Sequence, residues 1–167
     1  MAQKVRVFSN SADRNEFDPV VIRSDYSDEQ AWLLIKATLA EHSESGSPTW
    51  IVDDPAWQGV GVDEVLAAVS ADESLKGCLP VFFLADSLAM HASHHALLAV
   101  STVTREDFAD DKEYAEAMAF GRECRVVPHI VHSMHGNLNI ASMDFEEFAS
   151  VARRDHEGIY RCCCRSF

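Results

Sequence analysis

Asp25, Asp53, Asp54 and Asp86 each follow a short apolar run with strand character. In an open α/β sheet, ligands bind outside the carboxyl ends of the strands. Carboxylates gathered there could hold magnesium, a hard cation that prefers oxygen ligands. Phosphotransfer receivers and metal-dependent phosphatases use that arrangement. Turn chemistry explains the same residues differently. Asp before Pro suits a turn, and Asp at a strand end often caps the next helix. A receiver-type centre also wants a late lysine, and none follows Lys112. Arg125 would have to serve, although a planar guanidinium is a poor substitute for a compact ammonium.

The histidines fall in two groups, His91, His94 and His95, then His129, His132 and His135. If helical, positions 91, 94 and 95 share a face, and imidazole is a good zinc ligand. The paired motif with a glutamate between two histidines is absent, and solvated or hydrogen-bonded histidines are the expectation. Nor does the chain contain a Gly-x-Ser-x-Gly elbow or a phosphate-binding glycine loop. Cys78 or Cys124 could pair with a histidine, but a cysteine in an apolar strand is usually buried and inert. Two further features stand in turns or loops. Trp57 follows a strand-end turn, and Asn137 and Asn139 precede the last helix.

These residues need a scaffold. Val20-Val-Ile22 opens the domain as a β-branched strand, and Ser27 with Gln30 forms a capping box. Ala31, Trp32, Leu34, Ile35 and Leu39 recur at helical spacing. Breakers at 43–48 end that helix, and Thr49-Trp-Ile-Val52 is a second strand. Gly59 and Gly61 mark a turn before a helix with Val62, Val65, Leu66 and Val69 on one face. Cys78–Ala85 and Leu97–Val103 are two more apolar strands, and Cys124–Val127 a fifth. Residues 105–121 are charged and helix-prone. The last helix is capped by Asp144, with Glu146 and Glu147 in its first turn and Arg153 and Arg154 in its last. Phe145, Phe148, Ala149 and Val151 make its apolar face.

Apolar strands alternating with helices predict a sheet covered on both faces. The expected fold is α/β, a three-layer sandwich with a central mixed sheet of four or five strands flanked by helices. Trp32, Ile35, Ile51, Val65, Phe83, Leu98, Val126, Phe145 and Phe148 are expected in one core. Residues 1–18 form a loose leader or edge strand, and 19–167 a single domain.

Three segments carry a family resemblance. They are Ile22-Arg-Ser-Asp-Tyr-Ser-Asp28 with Ala31-Trp32, Ile51-Val-Asp-Asp-Pro-Ala-Trp-Gln-Gly59, and Arg125-Val-Val-Pro128 leading to Asn137-Leu-Asn-Ile-Ala-Ser-Met-Asp-Phe-Glu-Glu-Phe148. In order and spacing they resemble an uncharacterised family of small acidic bacterial proteins, frequent in actinobacteria and catalogued as a domain of unknown function. The resemblance spans roughly residues 20–160 and implies a bacterial cytoplasmic protein. It supplies no activity. The segment 105–121 is longer than that family's usual connection, and the cysteine-rich tail is unusual for it.

Composition narrows the function. With 167 residues, 47% hydrophobic, the chain can bury one core. Its net charge of −13 repels nucleic acid and anionic membranes and favours a basic partner, while also serving solubility. No basic cluster is interleaved with aromatics, and no apolar run is long enough to span a bilayer. Five cysteines, three of them consecutive at Cys162-Cys163-Cys164, suit reduced thiols in a cytoplasm better than a disulfide framework. The leading expectation is a non-enzymatic, immunity- or inhibitor-like module that binds a basic protein. Its surface would centre on Asp25, Asp53, Asp54, Trp57, Asn137 and Asn139, with no catalytic residue, metal ligand or cofactor. The alternative is a magnesium-dependent phosphoryl-transfer enzyme or phosphoacceptor that uses the strand-end aspartates.

Overall fold

The computed structural model describes residues 6–43 and 47–161. The elements in chain order are β1 (Val20–Arg23), α1 (Glu29–Glu41), β2 (Trp50–Val52), α2 (Val62–Ala71), β3 (Val81–Ala85) and α3 (Ser87–His91). Then come β4 (Leu97–Ser101), α4 (Asp111–Ala117), β5 (Glu123–Val126), α5 (Val131–Asn139), α6 (Phe145–Arg154) and β6 (Ile159–Tyr160). Among the described residues, no helix is long and apolar enough to cross a membrane.

The strands make one mixed sheet of six, ordered β2-β1-β3-β4-β5-β6, where four or five were expected. β1 runs parallel to both β2 and β3, β4 is antiparallel to its neighbours, and β6 is parallel to β5. The extra strand is the two-residue β6, too short for any periodicity to reveal.

The expected single core is two clusters. Successive side chains of a strand point to opposite faces, and that alternation divides them. Val21, Phe83 and Ala85 join Trp32, Ile35, Val126, Phe145 and Phe148 in one cluster. Val20, Ile22, Phe82 and Leu84 join Val65, Val69 and Trp57 in the other, against which Leu98 packs.

Local chemistry sets the helix ends, sometimes one residue from the expected place. Asp28, not Ser27, caps α1, accepting the Ala31 N–H at 2.9 Å. Ser27 is occupied elsewhere, donating its own N–H to Asp25 at 2.9 Å. α6 has its N-cap at Asp144, whose N–H donates to the Glu147 carboxylate at 2.8 Å, and buries Phe145, Phe148, Ala149 and Ala152. Val151 is 46% exposed, because Ala152 rather than Val151 completes that stripe.

Residues 9–18, polar enough to suggest a loose leader, form a short 3-10 turn at Ser11–Asp13 and no strand. Phe8 anchors this stretch. It is 4% exposed and stacks on Trp57, with ring centroids 4.5 Å apart.

Candidate functional site

β1, β2 and β3 run parallel, so their carboxyl ends carry Asp25, Asp53, Asp54 and Asp86 to one end of the sheet. The order β2-β1-β3 also places the topological switch there, between β1 and β3. The aspartates do not converge on an open centre. Each is held by a different partner.

Arg23 organises the first group. Its side chain is 4% exposed and pairs with Glu29 at 2.8 Å and Asp53 at 3.4 Å. Its guanidinium lies 4.1 Å from the Tyr26 ring centroid and 5.1 Å from that of Trp32. The Trp32 indole N–H donates to the second oxygen of Asp53 at 3.0 Å. A buried cation is costly unless paired and hydrogen-bonded, and these contacts supply both. The buried Tyr26 hydroxyl lies beside Asp53 with no hydrogen-bond partner in good geometry. Burial, then the negative charge of Asp53, pushes it up to about 12.

Asp25 belongs to a local turn. Burial works against its charge, but the side-chain and backbone bonds from Ser27 outweigh that and hold its carboxyl below the usual range. The Ser27 hydroxyl touches both Asp25 and, at 2.9 Å, His91 Nε2. A hydroxyl has one proton. With Asp25 accepting it, Ser27 accepts from His91, the reverse of nucleophile activation. Asp86 caps α3 and takes both arms of Arg125, at 2.7 and 2.6 Å. Asp54 caps the 3-10 turn Pro55–Trp57.

The remaining expected residues lie elsewhere or inside. Trp57 is 2% exposed, so it is core and not a surface anchor. Asn137 and Asn139 stand in α5, not in a loop. Asn137 spends its side chain on Ser133 and Ser142, at 2.8 and 2.7 Å. Asn139 lines a cavity of about 740 Å³ with Pro80, before β3, and Thr102, after β4. That is the opposite end of β3 from Asp86, so the asparagines and the aspartates share no surface.

The histidine groups are dispersed in the same way. α3 ends at His91, and His95 has a φ of 50°, so positions 91, 94 and 95 do not share a helical face. His132 bonds Thr49 at 2.8 Å, and His135 bonds the Glu16 carbonyl at 2.8 Å. Among the described residues, no three His, Cys, Asp or Glu side chains are grouped to hold a metal ion. Burial pushes the Cys124 thiol up to about 12, which leaves it protonated and inert. Cys162, Cys163 and Cys164 lie outside the described residues.

The three segments that carry the family resemblance are therefore scaffolding in large part. Gly59, at a φ of 71°, donates its N–H to the Ser24 carbonyl at 2.8 Å and ties the loop after β2 to the loop after β1. Ser24 N–H in turn reaches the Ala85 carbonyl at 3.0 Å.

A different surface stands out on α1. Its inner face buries Ala31, Trp32, Ile35 and Leu39. Its outer face carries Leu33 and Leu34, 47% and 59% exposed, with exposed Ala37 and Ala40. Helical spacing places Leu34 in the core stripe, whereas the structure turns it outward beside Leu33. The visible signal was five consecutive apolar residues, Ala31–Ile35, more than one stripe can bury. Leu34 also borders a cavity of about 210 Å³ with Thr38, His94, Val127, Pro128 and His129. Glu29 and Glu41 mark the two exposed ends of the helix.

Residues 18–163 match the model of a family described as a domain of unknown function, DUF6924. No curated protein matches the chain.

Proposed function

We propose, for a chain that belongs to the DUF6924 family of domains of unknown function, a protein-interaction module that binds a basic partner through the outer face of α1. In this reading the sheet is the middle of three layers, and α1 presents its outer side to the partner. The observation that carries it is a helix apolar on both sides with one side uncovered. A helix that is hydrophobic all round belongs in an interior, and contiguous apolar surface marks interaction sites. Leu33, Leu34, Ala37 and Ala40 would form the dry centre, with Asp28, Glu29 and Glu41 at the rim. The charge of −13 opposes self-association and favours a cationic partner.

The magnesium-dependent reading draws less support. Its carboxylates already serve as helix caps and arginine partners. An immunity- or inhibitor-like role fits the size, charge and apolar face, and it rests on those features alone.

The test is capture from the cell that makes the protein, with wild type and a Leu33→Ser/Leu34→Ser variant, at low and physiological salt. The expected result is one basic protein held by wild type, lost with the variant, and reconstituted from purified components with association that slows as salt rises. Equal retention by both chains defeats the proposal. So does a wild-type chain that sediments as a dimer through this face.

A further inference from the structure

The segment between β4 and β5 holds a second candidate, independent of the α1 face. α4 buries none of its residues. Beneath it lies a cavity of about 360 Å³. Its apolar lining is Val103, Phe108, Met118, Leu138, Met143 and Phe145, each buried or half-buried. Its polar lining is dominated by carboxylates. Glu113 and Glu116 stand one turn apart on α4, Glu113 also accepting the Ala109 N–H at 3.2 Å, and Asp144, the cap of α6, stands with Glu146 at the start of that helix. No Lys, Arg or His is among the described residues lining it. The nearest cation to Glu116 is Lys112, 4.0 Å away and largely exposed.

We infer that this cavity binds an apolar group carrying a positive charge, a hydrophobic ammonium or guanidinium. The volume falls in the range of small-ligand pockets, which are mostly apolar with a few polar groups fixing orientation. An apolar floor rejects a bare, strongly hydrated cation, because the walls would stay wet. Carboxylates from two elements reject an anion and do little for a neutral molecule. Like charges spaced along one helix face destabilise that helix. A bound cation relieves this, so α4 should become better ordered on binding. Such a ligand can be a free amphiphilic amine or a basic side chain beside an apolar one on a peptide.

Three eight-carbon probes separate the contributions: octylammonium, octanol and octanoate, titrated below their micelle concentrations and followed by amide chemical shifts. Octylammonium should bind saturably and shift the amides of residues 113–118 and Phe145. Octanol should bind about tenfold more weakly, and octanoate should not bind. Glu116→Gln with Glu146→Gln, two substitutions on half-exposed or exposed positions, should weaken octylammonium about twofold to thirtyfold, the range for two such charges. A melting temperature within a few degrees of wild type would show that the fold is intact, the small shift coming from the lost first-turn charge of α6 and the relieved repulsion on α4. Acetyl-Leu-Lys-Leu-amide separates the sources. Tighter binding by the peptide assigns the cavity to a protein segment, and tighter binding by octylammonium assigns it to a free amine. Equal binding of octanol and octylammonium overturns the inference. An unaffected double variant, or no saturable binding by any cationic probe, does the same.

Discussion

The indole of Trp32 donates to the carboxylate of Asp53 across 3.0 Å, joining the buried face of α1 to the end of β2. The other oxygen of Asp53 faces Arg23 at 3.4 Å. One carboxylate thus serves an indole and a buried guanidinium together, and one of the four strand-end aspartates that could have held magnesium is a structural tie.

Asp53→Ala should therefore lower stability rather than abolish a metal-dependent activity. It strips one charge from a buried arginine and the acceptor from a buried indole. Asp53 is itself about one-third exposed, so water softens the loss. The expected cost is about 1–3 kcal/mol by urea denaturation. A change below about 0.5 kcal/mol would mean the tie contributes nothing.

Trp57→Ala should unfold the protein more easily by about 3–5 kcal/mol, as for other buried aromatics. Phe8 stacks on it, so Phe8→Ala and Trp57→Ala should not add. A double-mutant cycle should show a coupling of about 0.5–1.5 kcal/mol. Strict additivity would mean that the segment before β1 is not docked on this ring.

Phe148 is fully buried and meets Tyr160 of β6 edge-on, with ring centroids 5.0 Å apart. Phe148→Ala should cost about 3–5 kcal/mol and should loosen β6 first, seen as faster amide exchange at Ile159 and Tyr160. A loss under about 1 kcal/mol, the range of a surface site, would mean that Phe148 does not tie α6 to β6.

Acid should destabilise the fold through His135. Burial holds its imidazole below the ordinary value, only partly offset by its bond to the Glu16 carbonyl. Its Nδ1 is buried without a partner, near Arg14, Asp18 and His132. A depressed folded-state value means the unfolded chain takes up the proton first as pH falls. The stabilisation is complete above about pH 6.5 and declines below it, by at most about 1.4 kcal/mol per pH unit. His135→Leu should flatten the stability profile below about pH 6.5. An equally steep profile in the variant would assign the slope to another group.

Much of the fold was legible along the chain. Val20-Val-Ile22 and Cys78–Ala85 announced strands because β-branched and apolar runs pack on a pleated sheet, although β3 begins only at Val81 and Cys78 is exposed. Asp144, Glu147, Arg153 and Arg154 marked both ends of α6 because caps and dipole charges act within one turn. The candidate site was less legible. Asp25, Asp53, Asp54 and Asp86 did gather at one end of the sheet, but their types could not say which would cap a helix and which would face an arginine.

Local residue order determined what acts over a few neighbours: strand character, helix caps, turns and net charge. The tertiary structure alone decided what depends on partners far along the chain. It split the apolar residues between two faces, buried Trp57 under Phe8, and set Asp53 against Arg23 and Trp32. It also turned Leu34 outward when Trp32, Ile35 and Leu39 had filled the inner side of α1. The physical reason is that a helix or strand offers several faces of similar composition. Only packing against the remainder of the chain selects which one leaves water.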